Sequence, residues 1–355
     1  MTGRQRQMAA AYIGAVVGAG FASGQEALTF FVIYGPWGLL GIVVVMVGLA
    51  VIGALSFAAT QELGVESYKE LLETVSTPFW SRLYDILITC FLLAGVGVML
   101  AGAGSLAQQQ WRLPVMLGVG ATAVITGISC YLGIEGVFLL NTYLVPVMAA
   151  ASASLGLLGL GGLWSKKILQ AETLAMWSST PSPLVPNWWL AAVIYLSYNS
   201  MLGIAACTPL AASLPRRKWA VWGGVVGGLT LGFMLLGSSL AIWDAGPQAA
   251  QMAVPLAWIA SLTGPGLGSL YGIIIWFAML TTAATNLYAV VKRLGRSPRP
   301  DILGVLLALG FGLSLLGFSS LIELLYPFFG YLGCFYGLQI LKYYFRRWHA
   351  VRKRK

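Results

Sequence analysis

The nine residues Gly18-Ala19-Gly20-Phe21-Ala22-Ser23-Gly24-Gln25-Glu26 interrupt an apolar stretch that begins near residue 8. The three glycines weaken a helix at this point. If the flanking stretch crosses a membrane, unwound backbone and a carboxyl group at that depth are tolerated only where they line a cavity or are buried in protein. The stretch therefore predicts a broken membrane helix with a functional site at the break.

The rest of the chain has the composition of a polytopic helical membrane protein. Of its 355 residues, 58% are hydrophobic and 9% are charged, and the mean hydropathy is +0.82. A soluble domain has roughly a quarter charged residues, so this chain cannot cover a water-facing surface. Soluble enzymes, nucleic-acid binders and secreted disulfide scaffolds are thereby excluded.

Ten apolar segments are long enough to cross a hydrocarbon core of about 30 Å. They cover residues 8–34, 37–60, 82–108, 114–132, 137–163, 187–213, 217–243, 267–293, 301–318 and 320–345. With the N-terminus inside, the predicted cytoplasmic segments hold 18 of the 21 lysines and arginines, all except Arg112, Lys166 and Lys167. This bias follows the positive-inside rule. We expect a multi-pass protein of the bacterial cytoplasmic (inner) membrane with both termini in the cytoplasm.

The lengths of the segments repeat, which predicts two inverted halves of five helices each. Long loops follow the second and the seventh spans, at 61–81 and 244–266. The predicted organisation is a first repeat at 1–163, an external connecting loop at 164–186, a second, inverted repeat at 187–345 and a basic cytoplasmic tail at 346–355.

The sixth span carries a polar interruption at a position that matches the one in the first span. It runs from Tyr195 to Gly203 and includes Ser197, Tyr198 and Asn199. Interrupted spans at corresponding positions of two halves are the best sequence pointer to the binding site of a transporter. In contrast, the glycines of the seventh span fit close helix packing better than a site; they are Gly223, Gly224, Gly227 and Gly228.

With these features, the sequence resembles the five-plus-five inverted-repeat transporters of the amino acid–polyamine–organocation superfamily, which have the LeuT fold. The run from Gly18 to Glu26 is similar to that of the YkvI-like bacterial membrane proteins. The resemblance implies an all-α membrane protein in which spans 1 and 6 are broken and the substrate binds between them.

The resemblance also implies a sodium site between the break in span 1 and the middle of span 8. Its ligands would be the carbonyls of Gly14, Val17 and Ala278 and the hydroxyls of Thr281 and Thr282. Free carbonyls of a broken helix are suited to this role because their intrahelical donors are absent. The alternative is that both threonines bond the carbonyls of their own helix, as buried membrane threonines often do.

The candidate substrate site combines the break in span 1 with the polar residues of span 6. The free N–H groups near Phe21, Ala22 and Ser23 are expected to point at an anionic group such as a carboxylate. The full candidate set is Ala19, Gly20, Phe21, Ala22, Ser23, Gln25, Glu26, Ser197, Tyr198 and Asn199.

Glu26 is the most unusual residue, because an acid near the membrane midplane marks a functional site by default. Pairing with a substrate amine, accepting a proton, capping broken backbone and a structural partnership all remain open. Asp85 and Glu323 lie near span ends, where structural or gating roles are favoured, and Asp85 is expected to pair with Arg82 at helical spacing.

These observations predict a secondary active transporter, not an enzyme, that carries a small amino-acid-like solute together with Na⁺ by alternating access. The expected partners are this solute and the lipid bilayer, with no nucleic acid and no cofactor besides the coupling ion. The alternatives are a proton-coupled transporter of the same fold with Glu26 as the carrier, or a transport-inactive membrane receptor.

Overall fold

The protein is a bundle of long helices, seen in a computed structural model that describes residues 3–65, 67–133 and 182–352, with scattered positions between 135 and 156. Of the predicted fifth span, 137–163, only scattered positions are described, and most of the loop at 164–186 and residues 353–355 lie outside the described residues. No strand occurs in the described ranges.

Thirteen α-helices occur in the continuous described ranges of the chain. They are α1 (Gly3–Val16), α2 (Ala19–Ser23), α3 (Gln25–Phe30), α4 (Pro36–Leu63), α5 (Tyr68–Val75), α6 (Pro78–Trp111), α7 (Val115–Leu132), α8 (Trp188–Ala212), α9 (Arg217–Ala245), α10 (Pro255–Thr263), α11 (Pro265–Arg293), α12 (Pro300–Ser314) and α13 (Phe318–Arg352). Short 3₁₀ turns occupy Val32–Tyr34 and Pro247–Gln251.

Seven of these helices are long and apolar enough to cross a membrane: α4, α6, α7, α8, α9, α11 and α13. They match the predicted spans 2, 3, 4, 6, 7, 8 and 10. The predicted ninth span is the shorter apolar helix α12, with 15 residues. The predicted first span is divided among α1, α2 and α3, so its break is confirmed.

The described spans pack in a pattern that relates the two halves of the chain. Each span contacts its counterpart five positions later, with α1 against α8, α4 against α9, α6 against α11 and α7 against α12. The cross pairs α1 with α9 and α4 with α8 also form. A pseudo-two-fold axis that exchanges the halves would produce this set of contacts. The residue boundaries of the repeats stay a prediction.

The two long loops also correspond, since each carries a short helix. In the first loop, α5 begins after Ser67, whose Oγ accepts a hydrogen bond from the Glu70 N–H at 3.2 Å. In the second loop, α10 is held to α6 by Gln109, whose side-chain amide makes hydrogen bonds of 2.9 and 3.0 Å with the backbone of Val254. In addition, α5 packs against α6 and α10 packs against α11, so each loop helix lies beside the third span of its own half.

The predicted break in span 6 is wrong, because α8 is a continuous helix from Trp188 to Ala212. The polar side chains bond without unwinding the backbone: Asn199 Nδ2 donates to the Tyr195 carbonyl one turn earlier, at 3.0 Å. Gly203 has a packing role, since a Cβ there would overlap the ring of Tyr12 from α1.

The glycines of α9 serve close helix packing, as the sequence predicts. A Cβ on Gly224 or Gly228 would overlap the backbone of α4 at Ala54 or Ala50, and one on Gly223 or Gly227 would meet side chains of α1. Small residues allow the backbones of α4 and α9 to approach this closely.

Replacing Gly228 by alanine is expected to destabilise the bundle by about 1–3 kcal/mol, because the new methyl group meets backbone atoms that cannot rotate away. The measurement is the thermal unfolding midpoint in detergent. Gly120→Ala on α7 is the matched control, since its Cβ would meet nothing within 4 Å. Equal midpoints for the two variants would contradict the packing described for α4 and α9.

Candidate functional site

The first span is interrupted twice, and the two interruptions position the site. α1 ends at Val16, and Gly18 adopts an extended conformation with φ −93° and ψ −175°. α2 ends at Ser23, and the next residue, Gly24, has a φ of +82°, in the left-handed region that favours glycine. A Cβ at Gly24 would also lie 2.7 Å from Leu256 Cγ. α3 begins directly after Gly24, and its six residues are buried within the bundle.

Glu26, in the first turn of α3, is buried in the protein with an exposed fraction of 3%. One carboxyl oxygen, Oε2, accepts a hydrogen bond of 2.9 Å from the Tyr198 hydroxyl of α8. The other, Oε1, lies against Gly20, where a Cβ would overlap it. The carboxyl group is thus held between the two halves of the chain, in space that only a glycine at position 20 leaves free.

Aromatic rings surround this carboxyl group. We call six residues the aromatic cluster: Phe30, Phe91, Tyr195, Tyr198, Tyr326 and Phe329. The ring of Tyr198 lies 5.0 Å from that of Tyr326, 5.3 Å from that of Tyr195 and 5.9 Å from that of Phe30, between ring centroids. Phe91 of α6 lies 4.6 Å from Phe329 of α13. Spans 1, 3, 6 and 10 therefore all contribute to the cluster.

The charge of Glu26 is not matched by a basic side chain among the described residues, since the ion pairs found there involve other acids. Tyr195 lies close to the carboxyl group, but its buried hydroxyl makes no hydrogen bond of ordinary geometry with any described residue. A buried carboxylate without a cation is costly, so the group must be neutralised by a proton or by a bound cation.

Of the three backbone donors predicted near the break, the Ala22 N–H already has a partner within the chain. The Ala22 N–H donates to the Gly18 carbonyl at 3.0 Å, and the Ala22 carbonyl accepts from the Tyr271 hydroxyl of α11 at 2.9 Å. Ser23 Oγ donates to the Gly20 carbonyl at 2.9 Å and accepts from the Gln25 N–H at 3.2 Å.

The remaining predicted residues of the first span are placed as follows. Phe21 is buried, and so is Gln25, whose Oε1 has no hydrogen-bond partner in the described part of the chain. The side chain of Ala19 lies outside the described residues, although the backbone begins α2 there. Gly20 and Glu26 contact each other, and they form the core of the site.

Of the three residues predicted on α8, only Tyr198 bonds with Glu26. Ser197 faces α13, where its Oγ donates to the Gly330 carbonyl at 2.7 Å, and the Asn199 side chain bonds within its own helix. Tyr195 was not among the predicted site residues, although it lies three positions before Tyr198 and therefore on the same helix face. Tyr326 and Phe91 carry no comparable signal, because their role arises from tertiary packing.

The predicted sodium ligands lie on two elements. Thr281 is buried on α11, and its hydroxyl donates to the Ala278 carbonyl at 3.2 Å. Thr282 is half-buried. Val17 is buried, and its N–H donates to the Ile13 carbonyl at 2.8 Å, while Gly14 is half-buried on α1. No group of three or more His, Cys, Asp or Glu side chains arranged for a metal ion occurs in the described part of the chain.

A second polar cluster joins three helices at the end of the bundle where α6 begins and α11 ends. Arg293 Nη1 lies 3.4 Å from Asp85 Oδ1 and 3.3 Å from Thr89 Oγ1, and its guanidinium lies 4.6 Å from the ring centroid of Tyr68. The Tyr68 hydroxyl donates to Asp85. The predicted ion pair of Asp85 with Arg82 is therefore wrong, because Asp85 pairs with the distant Arg293 and not with Arg82.

This cluster, which we call the Asp85 latch, comprises Tyr68, Asp85, Thr89 and Arg293. Burial raises the pKa of Tyr68 above its ordinary value, and the hydrogen bond to Asp85 raises it further. The Tyr68 hydroxyl therefore keeps its proton and remains a hydrogen-bond donor. Tyr68 also lines a small cavity with Ile88 and Met201, each one turn from the aromatic residues Phe91 and Tyr198. The latch therefore lies on the side of the site that faces this end of the bundle.

Replacing Asp85 by asparagine is expected to loosen the latch by about 1 kcal/mol, the upper value for a partly exposed ion pair. The conformer with this end open should become about fivefold more populated. The measurement is the rate at which a thiol reagent labels Ala205→Cys, which lines the cavity beside Tyr68, in a background without the native cysteines.

The matched control for this substitution is Asp301→Asn, which removes the partner of Arg299 in an exposed ion pair. Its labelling rate should equal that of the parent protein. A rate for Asp85→Asn that also equals the parent rate would show that Asp85 does not hold this end closed.

Two proteins of Bacillus subtilis (strain 168) are similar to this chain over nearly its whole length. The uncharacterized membrane protein YkvI is 28% identical over 335 residues, which are 93% of each chain. The uncharacterized protein YyaD is 25% identical over 334 residues, which are 93% of this chain and 94% of that one. No protein-family model matches the sequence.

Solved transporter structures are similar to the chain in fold. MhsT in complex with L-phenylalanine matches it with a TM-score of 0.59 and 18% identity, over 89% of this chain and 79% of that one. The inward-facing conformation of Mhp1 matches with a TM-score of 0.59 and 12% identity, over 92% and 72%. The chain is thus an all-α polytopic membrane protein with the LeuT fold of these transporters.

Proposed function

We propose that the chain is a secondary active transporter that moves a small solute by alternating access, with Glu26 at the centre of its binding site. The observation that supports this proposal best is the carboxyl group itself. It is buried at a double break in the first span and bonded across the halves to Tyr198. Secondary transporters of this type bind their substrate at discontinuous helices between two repeats.

Two gates follow from this proposal. The Asp85 latch would be the inner gate, on the cytoplasmic side, because the positive-inside rule assigns that end of the bundle to the cytoplasm. Glu323 is exposed near the start of α13, at the opposite end, where an outer gate would lie. Opening the gates in turn would expose Glu26 first to one side of the membrane and then to the other.

For the coupling ion we propose Na⁺, bound by the carbonyls of Gly14, Val17 and Ala278 and the hydroxyls of Thr281 and Thr282, with an amino-acid-like solute as cargo. The hydrogen bond of 2.9 Å from the Tyr271 hydroxyl to the Ala22 carbonyl supports the assignment, because it holds α11 beside the broken span. The Thr281 hydroxyl donates to the Ala278 carbonyl at 3.2 Å in this structure, so a bound sodium ion would have to replace that hydrogen bond.

Sodium chloride is expected to raise the thermal midpoint of the purified protein relative to potassium chloride at equal ionic strength. An ion at about a hundred times its Kd adds roughly 2.7 kcal/mol of stability. The doubly substituted Thr281→Ala, Thr282→Ala protein should lose this difference. Thr230→Ala, which removes a threonine bonded within α9, is the control and should keep it. A difference that survives the double substitution would show that the ion binds elsewhere.

A proton is the second candidate for the coupling ion, with Glu26 as its carrier. The specific observation in favour is that the ion pairs of the described residues leave Glu26 without a basic partner. The other titratable groups facing it are Tyr195 and Tyr198 from α8 and Tyr326 from α13. Uptake that follows an imposed pH gradient, ignores sodium and disappears in Glu26→Gln would establish this alternative.

A further inference from the structure

We propose that a cavity among α4, α8 and α13 binds a small uncharged amphiphile with one hydroxyl group, such as a medium-chain alcohol, which enters from the lipid bilayer. The cavity measures about 240 Å³, and its lining residues do not include Glu26 or the tyrosines around it. This inference does not depend on the proposed function, because a ligand can occupy the cavity in a protein that transports nothing. It adds a second binding site to the chain.

The cavity lies on the opposite face of α8 from Tyr195 and Tyr198. Successive residues of an α-helix are about 100° apart around the helix axis. The α8 residues that line the cavity are therefore centred about 180° away from the two tyrosines; they are Val193, Leu196, Ser197 and Ser200. A ligand in the cavity would thus contact the helix that bonds with Glu26 without entering the site around Glu26.

The walls of the cavity favour an uncharged, largely apolar ligand. The described residues that line it are all uncharged, and most are apolar, such as Ile52 of α4 and Leu338 and Leu341 of α13. Val193, Leu338 and Leu341 are also exposed on the outside of the bundle. Because the outside of a membrane-spanning bundle faces lipid, the mouth of the cavity opens toward the bilayer, and a ligand dissolved in the membrane can reach it.

Ser200 gives the cavity an unsatisfied polar group. Its side chain is buried, with an exposed fraction of 2%, and its Oγ makes no hydrogen bond with any described residue. Hydroxyl groups in membrane helices often donate to the carbonyl one turn earlier, as Thr208 of the same helix does to Ile204 at 2.7 Å. A buried hydroxyl without a partner is unfavourable, so its place in the wall of a cavity favours a ligand that brings a hydrogen-bonding atom.

Ser197 and Gly337 define the polar end and the size of the ligand. The Ser197 Oγ donates its proton to the Gly330 carbonyl at 2.7 Å, so toward the cavity it can only accept. A ligand hydroxyl can donate to Ser197 and accept from Ser200. Gly337 leaves space in the wall, because a Cβ there would meet only Ile52 Cδ1, at 3.8 Å. At about 30 Å³ for each water molecule, 240 Å³ corresponds to about eight non-hydrogen atoms, which suits an alcohol of about six to eight carbons.

The test uses the full-length protein in phosphatidylcholine nanodiscs, with an octanol that carries a photoreactive diazirine group as the probe. Mass spectrometry locates the labelled residues, and 1-octanol and n-octane are titrated as competitors. Gly337→Leu fills the cavity, and the control Gly312→Leu adds the same side chain on α12, where a Cβ would meet nothing within 4 Å. Ser200→Ala removes the unpaired hydroxyl and adds no atoms, so it keeps the test decisive if leucine at 337 prevents folding. Size-exclusion elution establishes that each variant is folded.

In the wild type and in Gly312→Leu, we expect labelling within residues 193–200 or 333–341 that saturates and that excess 1-octanol reduces at least fivefold. Gly337→Leu should reduce this labelling at least fivefold as well. In Ser200→Ala, the concentration of 1-octanol that competes half of the label should rise at least threefold, whereas that of n-octane should stay the same.

Two results would overturn the proposal. Labelling that does not saturate and is equal in wild type and Gly337→Leu would show that only acyl chains of the bilayer occupy the cavity. Competition by 1-octanol that is equal in wild type and Ser200→Ala would show that the cavity does not recognise a hydroxyl group.

Discussion

Replacing Glu26 by glutamine is expected to abolish transport while leaving the folded protein at least as stable as the wild type. The side chains have nearly the same shape, and the glutamine carbonyl can accept the hydrogen bond from Tyr198. The substitution removes an ionisable group that is 3% exposed, so the cost of burying it disappears. A residue kept for stability would show the opposite pattern.

The expected loss of function is large because a buried charge partner cannot be replaced by a neutral one. Removing one partner of a buried, hydrogen-bonded charge pair typically costs about 2–5 kcal/mol, which is about thirtyfold or more in affinity. Solute affinity and the thermal midpoint would be measured on the same preparation. The control is Asp301→Asn, which removes an exposed acid of α12. A lower midpoint for Glu26→Gln with unchanged affinity would assign Glu26 a structural role.

Replacing Gly20 by alanine is expected to disable the site, although the change adds one methyl group. That carbon would occupy the position of Glu26 Oε1. Since Tyr198 fixes the other carboxyl oxygen at 2.9 Å, the carboxyl group must rotate away or α3 must shift. Overpacking of this kind costs about 1–3 kcal/mol, so we expect about a fivefold or greater loss of solute affinity.

Gly18→Ala provides an unusually close control for this substitution. Gly18 lies two residues earlier in the same break, a Cβ there would meet nothing within 4 Å, and its φ of −93° suits any residue. Its effect should remain within about 0.5 kcal/mol. Equal effects of Gly18→Ala and Gly20→Ala on solute affinity would contradict the placement of the Glu26 carboxyl group against Gly20.

Much of the fold could be predicted because membrane constraints act on local sequence. Apolar length determines where helices cross, and seven helices of the described chain meet that criterion at predicted positions. The glycine-rich run between Gly18 and Gly24 broke the first span as predicted, because the backbone at Gly24 adopts a conformation that favours glycine. The packing glycines of α9 were likewise recognised from their spacing.

The prediction failed where polar residues had two ways to satisfy their hydrogen bonds. Asn199 and Ser197 looked like residues of an unwound segment, yet both donate to carbonyl groups while α8 stays intact. Asp85 found a partner in Arg293, which is 208 positions away in the chain, and local spacing cannot indicate such a pair. Sequence analysis identified Glu26 itself, but the rings around it come from four spans and depend on tertiary packing.

Uptake into proteoliposomes would show whether Glu26 forms the binding site of an ion-driven transporter. Wild type and Glu26→Gln would be reconstituted at matched density, and accumulation of radiolabelled amines and amino acids would be followed under imposed sodium and proton gradients. We expect the wild type to concentrate at least one solute, to release it when the driving gradient is dissipated, and Glu26→Gln to concentrate none. Equal accumulation by the two proteins, or accumulation that no ion gradient affects, would show that Glu26 does not form such a site.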